Sequence, residues 1–143
     1  MSRNRPPFRA DHVGSLLRPA AIHEARARRA KGEIDAAALK AVEDREIERV
    51  IQREEAVGLQ SITDGEFRRS WWHLDFLWGL DGIEKYVMDG GIAFSGMQTR
   101  AEGARVNGKL GFSGHAMLDH FRFLKAHTSR TAKITIPSPS ALY

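Results

Sequence analysis

The sequence predicts an α/β fold, a sheet or a barrel, in which parallel strands are joined by helices. Three observations lead there. Strand-like runs at 8–13, 59–63 and 132–136 are separated by stretches with helical periodicity, so the strands cannot pair as hairpins and need crossover connections. Such crossovers are right-handed. Each run also ends in a polar turn, "DHVGS", "TDGE" and "PSPS". In sheets and barrels alike, polar residues just past strand C-termini line the active site.

The elements follow in order. Phe8–Val13 reads as a short strand broken by Gly14-Ser15. Pro19 suits the first turn of a helix, where a missing N–H costs nothing, and Ala20–Lys31 is rich in helix formers until Gly32. Asp35 is the expected N-cap of a long helix from Ala36 to Val57, with Leu39, Val42, Ile47, Val50, Ile51 and Val57 recurring at helical spacing and Gly58 as its stop. Leu59–Thr63 reads as a buried strand. The aromatic run "SWWHLDFLWGLDG" is expected to be a helix or lid segment packed on something large. Gly90-Gly91 and Asn107-Gly108 are hairpin-type turns between short runs. His115–His127 has helical spacing through Met117, Phe121 and Leu124, and Ala132–Ile136 is the last strand, ended by Pro137-Ser138-Pro139. The expectation is a single domain over 1–143, with an irregular hairpin-containing excursion at about 67–112.

Composition narrows the function classes. The 143 residues are 42% hydrophobic and 28% charged, ordinary for a globular chain with a core. No apolar run is long enough to span a membrane, and the basic "MSRNRPPFR" has no apolar stretch behind it, so a cytoplasmic protein is expected. The net charge of +4 is spread, with Lys and Arg alternating with Glu along "EARARRAKGE" and "EDREIERVIQREE". This reads as solvated helix faces and not as the one-signed patch of a nucleic-acid binder. Cysteine is absent, which removes disulfides, thiolate nucleophiles and sulfur-ligated metal from what this chain does alone.

Gly14 and Ser15 allow close backbone approach, and their N–H groups with the Ser15 hydroxyl suit a carboxylate, although the pair also makes an ordinary turn. Glu66, just past a buried strand, must face a cation, a metal or a ligand ammonium; a salt bridge to Arg68 or Arg69 is the structural alternative. His12 could be a ligand, an acid or a hydrogen-bonded core histidine. His115, His120 and His127 do not share one helix face, so no metal is assigned to them.

The segments "DHVGSLLRP", "ITDGEFRRSWWHLDF" and "ARVNGKLGFSGHAMLDHFRFLK" together resemble the cobalamin-independent methionine synthase family in its short single-barrel branch, its N-terminal part only. The resemblance implies a zinc-dependent (β/α)8 TIM barrel, of the methionine synthase and uroporphyrinogen decarboxylase type. Its activity is that of a 5-methyltetrahydropteroyltriglutamate-homocysteine S-methyltransferase, carrying a methyl group from a methylated folate to homocysteine. It further implies that Val13, Gly14 and Ser15 bind the amino-acid end of homocysteine. Glu66, in the family's "HGE" motif, would hold the ammonium, with Asp64 standing where His is usual. His12 and Asp64 are neighbours of that site, and a folate-contacting position falls near Arg105, where Arg-Val replaces the usual Arg-Cys.

A complete barrel takes about 250 residues. This chain supplies about three strands of eight, and the family's zinc ligands would lie on later ones. It is therefore expected to be a truncated product, a proteolysed fragment or half of a split protein, inactive alone, that self-associates or binds a missing C-terminal part. The alternatives are a related zinc-dependent thiol alkyltransferase with another acceptor or methyl donor, and a non-catalytic fragment associating through its open edge.

Overall fold

The computed structural model describes residues 8–87, 93–94, 97–98 and 101–142. It is a mixed α/β structure that divides into two compact units, one running to Arg69 and including Asp119–Thr135, the other formed by Ser70–Leu118 and the residues from Ile136 on.

The first unit contains helices α1 (Ala20–Ala30) and α2 (Ala36–Ala56), strand β1 (Ser61–Ile62), most of the helix at Ala116–Ala126, and the strand Thr131–Ala132. The expected start of α2 holds: the Asp35 carboxylate accepts from Ala38 N–H at 2.7 Å. So does its stop, with Gly58 in the left-handed region at φ 91° and the Leu59 N–H turned back to Glu54 C=O at 3.1 Å. The core is Ile22 of α1, Ile47 and Ile51 of α2, Ile62, Phe67 and Leu124, with Val42 and Val50 packed against it. Each such side chain contributes about 1.5–3 kcal/mol by leaving water.

The polar face of α2 departs from expectation. Glu43, Glu46 and Glu54 are buried, not solvated, because each meets a partner: Arg26 for Glu43, Arg49 for Glu46, Thr63 for Glu54. Val57, placed on the apolar stripe, is 77% exposed.

Only one of the expected strand pairings is a backbone ladder. β1 pairs in parallel with Thr131–Ala132, in register Ser61 with Thr131 and Ile62 with Ala132. Both strands are shorter than their sequence runs for a definable reason. Leu59 N–H is spent on closing α2, Thr63 N–H goes to the Glu54 carboxylate at 2.8 Å, and Thr135 C=O is taken by the Arg69 side chain. Phe8–Val13 is not a strand. The segment is tied down by side chains instead of a ladder, the Lys133 ammonium reaching the Asp11 carboxylate at 2.7 Å and His12 C=O at 2.8 Å.

In the second unit, α3 (Leu74–Leu77) is all the helix that the aromatic run makes. The Asp75 carboxylate accepts from Ser70 and Trp71 N–H and fixes its entry. Strand β2 (Asp81–Val87) pairs antiparallel with the long strand Glu102–Gly111, and the short strands β3 (Ala93–Phe94) and β4 (Met97–Gln98) pair with each other, so the long strand is β5, the helix Ala116–Ala126 is α4 and Thr131–Ala132 is β6. Asn107-Gly108 is not a hairpin turn. It lies within β5, where the register slips between Asp81 and Ile83 and leaves extra residues opposite Gly82, at φ 77°. Gly90-Gly91 lies outside the described residues.

Candidate functional site

Two turns of the first unit meet. Strand β1 delivers the chain to Asp64-Gly65-Glu66, and the segment after Val13-Gly14-Ser15 docks on it through one backbone bond, Leu16 N–H to Gly65 C=O at 3.1 Å. Gly14 has φ 85° with open space where a side chain would be, while Val13 and Ser15 are exposed. Gly65 is required on two counts: its φ is 63°, and a Cβ there would come within 2.9 Å of the Phe67 ring.

The acidic turn is bonded from within. Asp64 Oδ1 accepts from Glu66 N–H at 2.9 Å, and Thr63 Oγ1 accepts from Gly65 N–H at 3.1 Å. Asp64 thus builds the turn, which is work its carboxylate does whatever else it faces. Glu66 itself sits at φ 57°, the one non-glycine residue in the left-handed region among those described. Its carboxylate is buried, Oε1 taking the Thr135 hydroxyl at 2.6 Å and lying 3.2 Å from Arg69 Nη1.

The structural alternative for Glu66, a bridge to Arg69, is thus formed, and it is not a surface pair. Both side chains are instead under 10% exposed, because Arg69 is folded inward onto Thr135. Arg68 turns the other way, to Asp44 and over the Phe123 ring.

Below the turn lies a second polar group. Glu54 accepts from both Thr63 N–H and Thr63 Oγ1, and His12 is wedged beside them, Nδ1 3.2 Å from Glu54 and Nε2 3.4 Å from Thr63 Oγ1. Burial pushes the Glu54 carboxyl above its ordinary range, opposed by the Thr63 N–H and by His12. His12 is therefore a hydrogen-bonded histidine of this group. His120 on α4, in the electrostatic field of Arg68, Asp64 and Arg69, is held below its ordinary value, by burial first and by Arg68 second.

Val13, Gly14, Ser15, His12, Asp64 and Glu66 thus belong to one neighbourhood. Arg105 is in the other unit, on β5, paired with Glu84 and with its guanidinium 5.8 Å from the centre of the Tyr86 ring. Sequence reasoning missed Arg18, Arg26 and Thr135. Arg18 stands in the quoted "GSLLRP", but nothing local indicates that it reaches residues 48 and 51 positions away. Among the described residues no three His, Cys, Asp or Glu side chains converge as metal ligands, and no helix is long and apolar enough to cross a membrane.

No protein-family model matches the chain. It is 47% identical over 142 residues to the uncharacterized protein YxjH of Bacillus subtilis, covering 99% of this chain and 38% of that protein. It is 46% identical over 144 residues to the uncharacterized protein YxjG of the same organism, covering 100% of this chain and again 38% of the relative. The chain thus spans under two fifths of the length of these relatives. Among solved structures it superposes on a putative vitamin-B12-independent methionine synthase from Listeria monocytogenes with a TM-score of 0.77 and 41% identity, over 98% of this chain and 39% of that one. A B12-independent methionine synthase from Shewanella, in complex with selenomethionine, is similar in fold, with a TM-score of 0.59 and 17% identity over 76% of this chain and 31% of its own.

Proposed function

We propose that this chain, which resembles the cobalamin-independent methionine synthase family along nearly its whole length, carries the amino-acid-binding turns of a methyltransferase that moves a methyl group from 5-methyltetrahydrofolate to homocysteine. The reading is of one incomplete (β/α)8 barrel domain over 1–143, with β1 and β6 formed of the about three strands expected and the 67–112 region as an excursion, in a cytoplasmic enzyme. The observation that carries it is the docking of the Gly14-Ser15 turn on the Asp64-Gly65-Glu66 turn through Leu16 and Gly65.

The N–H groups of the first turn and the hydroxyl of the exposed Ser15 suit the carboxylate of an amino acid, and the Glu66 carboxylate on the second suits its ammonium. With Oε1 committed to Thr135 and Arg69, the ammonium is assigned to Oε2. Fixing both ends of the amino acid leaves its thiol pointing away, toward whatever activates it. Such orientation lowers a barrier by removing the entropy of alignment. A sulfonate thiol has no ammonium for Glu66, which favours an amino-acid acceptor over the related alkyltransferases.

Zinc, which the resemblance implies for the complete enzyme, does not fit this chain's residues: there is no cysteine, and among the described residues no three acids or histidines converge as metal ligands. The chain's own task is to bind and orient. Arg105 as a folate contact remains part of the proposal, with its guanidinium already engaged by Glu84.

The buried Glu66–Arg69 pair supports a second reading, in which Glu66 is purely structural. Glu66→Gln separates the two. Losing a charge-assisted hydrogen bond costs about 1.5–3 kcal/mol, so homocysteine affinity by calorimetric titration should fall roughly ten- to a hundredfold. Some melting temperature is lost under either reading, because Arg69 is left buried with less compensation. Unchanged affinity beside a lowered melting temperature would establish the structural reading.

A further inference from the structure

We infer that Arg18 is a positioning residue: by donating to the carbonyls of both Glu66 and Arg69 it holds the Glu66 backbone in its left-handed conformation and so aims the carboxylate.

The starting point is the backbone outlier. A residue with a Cβ pays to sit at φ 57°, and such conformations persist only where the surroundings over-determine them. Here the surroundings can be enumerated. Asp64 Oδ1 holds the Glu66 N–H, and Leu16 N–H holds the carbonyl just before it. Beyond Glu66 the chain makes a tight turn that its own backbone closes once, Arg69 N–H donating to Glu66 C=O at 3.0 Å, and side chains supply the further donors. Arg18 Nη2 gives Glu66 C=O its second donor at 2.9 Å and donates to Arg69 C=O at 2.8 Å, so one guanidinium nitrogen ties both ends of the turn. Arg26 covers Phe67 C=O at 2.7 Å and reaches Arg69 C=O at 3.2 Å.

The origin of Arg18 matters as much as its partners. It lies three residues after Ser15, so the segment that presents the first turn also grips the backbone of the second. The two turns are thereby held at one separation by Leu16 and Arg18 together. A ligand gripped at both ends depends on that separation. Loss of Arg18 should therefore act through Glu66 and not independently of it.

This rests on Glu66 receiving an ammonium, and the test keeps the two claims apart. Arg18→Met, Arg18→Lys, Glu66→Gln and the double variant Arg18→Met with Glu66→Gln are made in the full chain. Each is read by thermal melting, by the Gly65 and Glu66 amide resonances of labelled protein, and by titration with homocysteine. Arg18→Met should displace both amide resonances and weaken homocysteine by about tenfold, the double variant binding no more weakly than Glu66→Gln alone. Arg18→Lys, which keeps donors on a looser stem, should recover part of the loss.

Unmoved amide resonances in Arg18→Met would overturn the inference, as would a double variant whose loss is the product of the two single losses. If Arg18→Met does not fold, Arg18→Lys decides by the same two criteria. If Glu66→Gln binds homocysteine as the parent does, the ammonium reading falls, and the amide resonances alone decide the role of Arg18.

Discussion

Glu54 shows what a single residue costs and supports. It is buried under the acidic turn, its carboxylate serving two Thr63 donors with His12 beside it. Burial raises its folded-state pKa, so the sign is fixed: the stability it contributes is fully present below the ordinary value of 4.5 and is lost as pH rises through the raised one. Glu54→Gln should therefore flatten the rise in urea sensitivity as pH climbs above 4.5. An unchanged pH profile in the variant would show that other groups set it. His120 works in the opposite sense. Its depressed pKa means that stability falls as pH drops below its ordinary 6.5, which His120→Gln should remove from the acid limb of the same profile.

At the scale of elements, α2 supplies Ile47 and Ile51 to the core of the first unit, and its two ends are set by local chemistry. Asp35→Ala removes the Ala38 cap and should cost about 1 kcal/mol, measured by chemical denaturation, with little change in homocysteine binding. Ile51→Ala in the same helix removes a side chain that is 1% exposed and should cost about 2–5 kcal/mol. A cap loss larger than the core loss would mean that α2 is held by its ends and not by its buried face. The strands behave differently. β1 and β6 are two residues each, and the neighbouring extended chain is fastened by Thr63, Lys133 and Thr135 side chains, so side-chain chemistry substitutes for ladder bonds at the edge of the pairing.

At the scale of the whole molecule, several large apolar side chains of the first unit are exposed. Leu17 is 94% exposed and Val13 81%, beside a cleft of about 560 Å³ lined by His12, Leu16, Leu17, Val50, Glu54 and Val57. Surfaces of this kind favour association. Sedimentation velocity should show the chain self-associating as concentration rises, and Leu17→Asp should shift that onset upward. A monomer of 16.0 kDa at every concentration would show that these side chains are tolerated in water.

The helices and their caps were legible in the sequence because their causes are local. Asp35, Gly58 and the three-to-four spacing of Ile47 and Ile51 act within a few residues. The turns at Gly14-Ser15 and Asp64-Gly65-Glu66 were legible too, since a glycine free to take positive φ marks where the chain turns. Tertiary structure decided the rest. Whether Phe8–Val13 becomes a strand depends on a backbone partner, and whether Glu43 and Glu54 are solvated depends on which side chains arrive from elsewhere. Whether Glu66 can hold a left-handed backbone depends on an arginine 48 residues away. Partners brought together only by folding leave no periodicity or spacing to read, because the energy that selects them comes from contacts the linear chain does not contain.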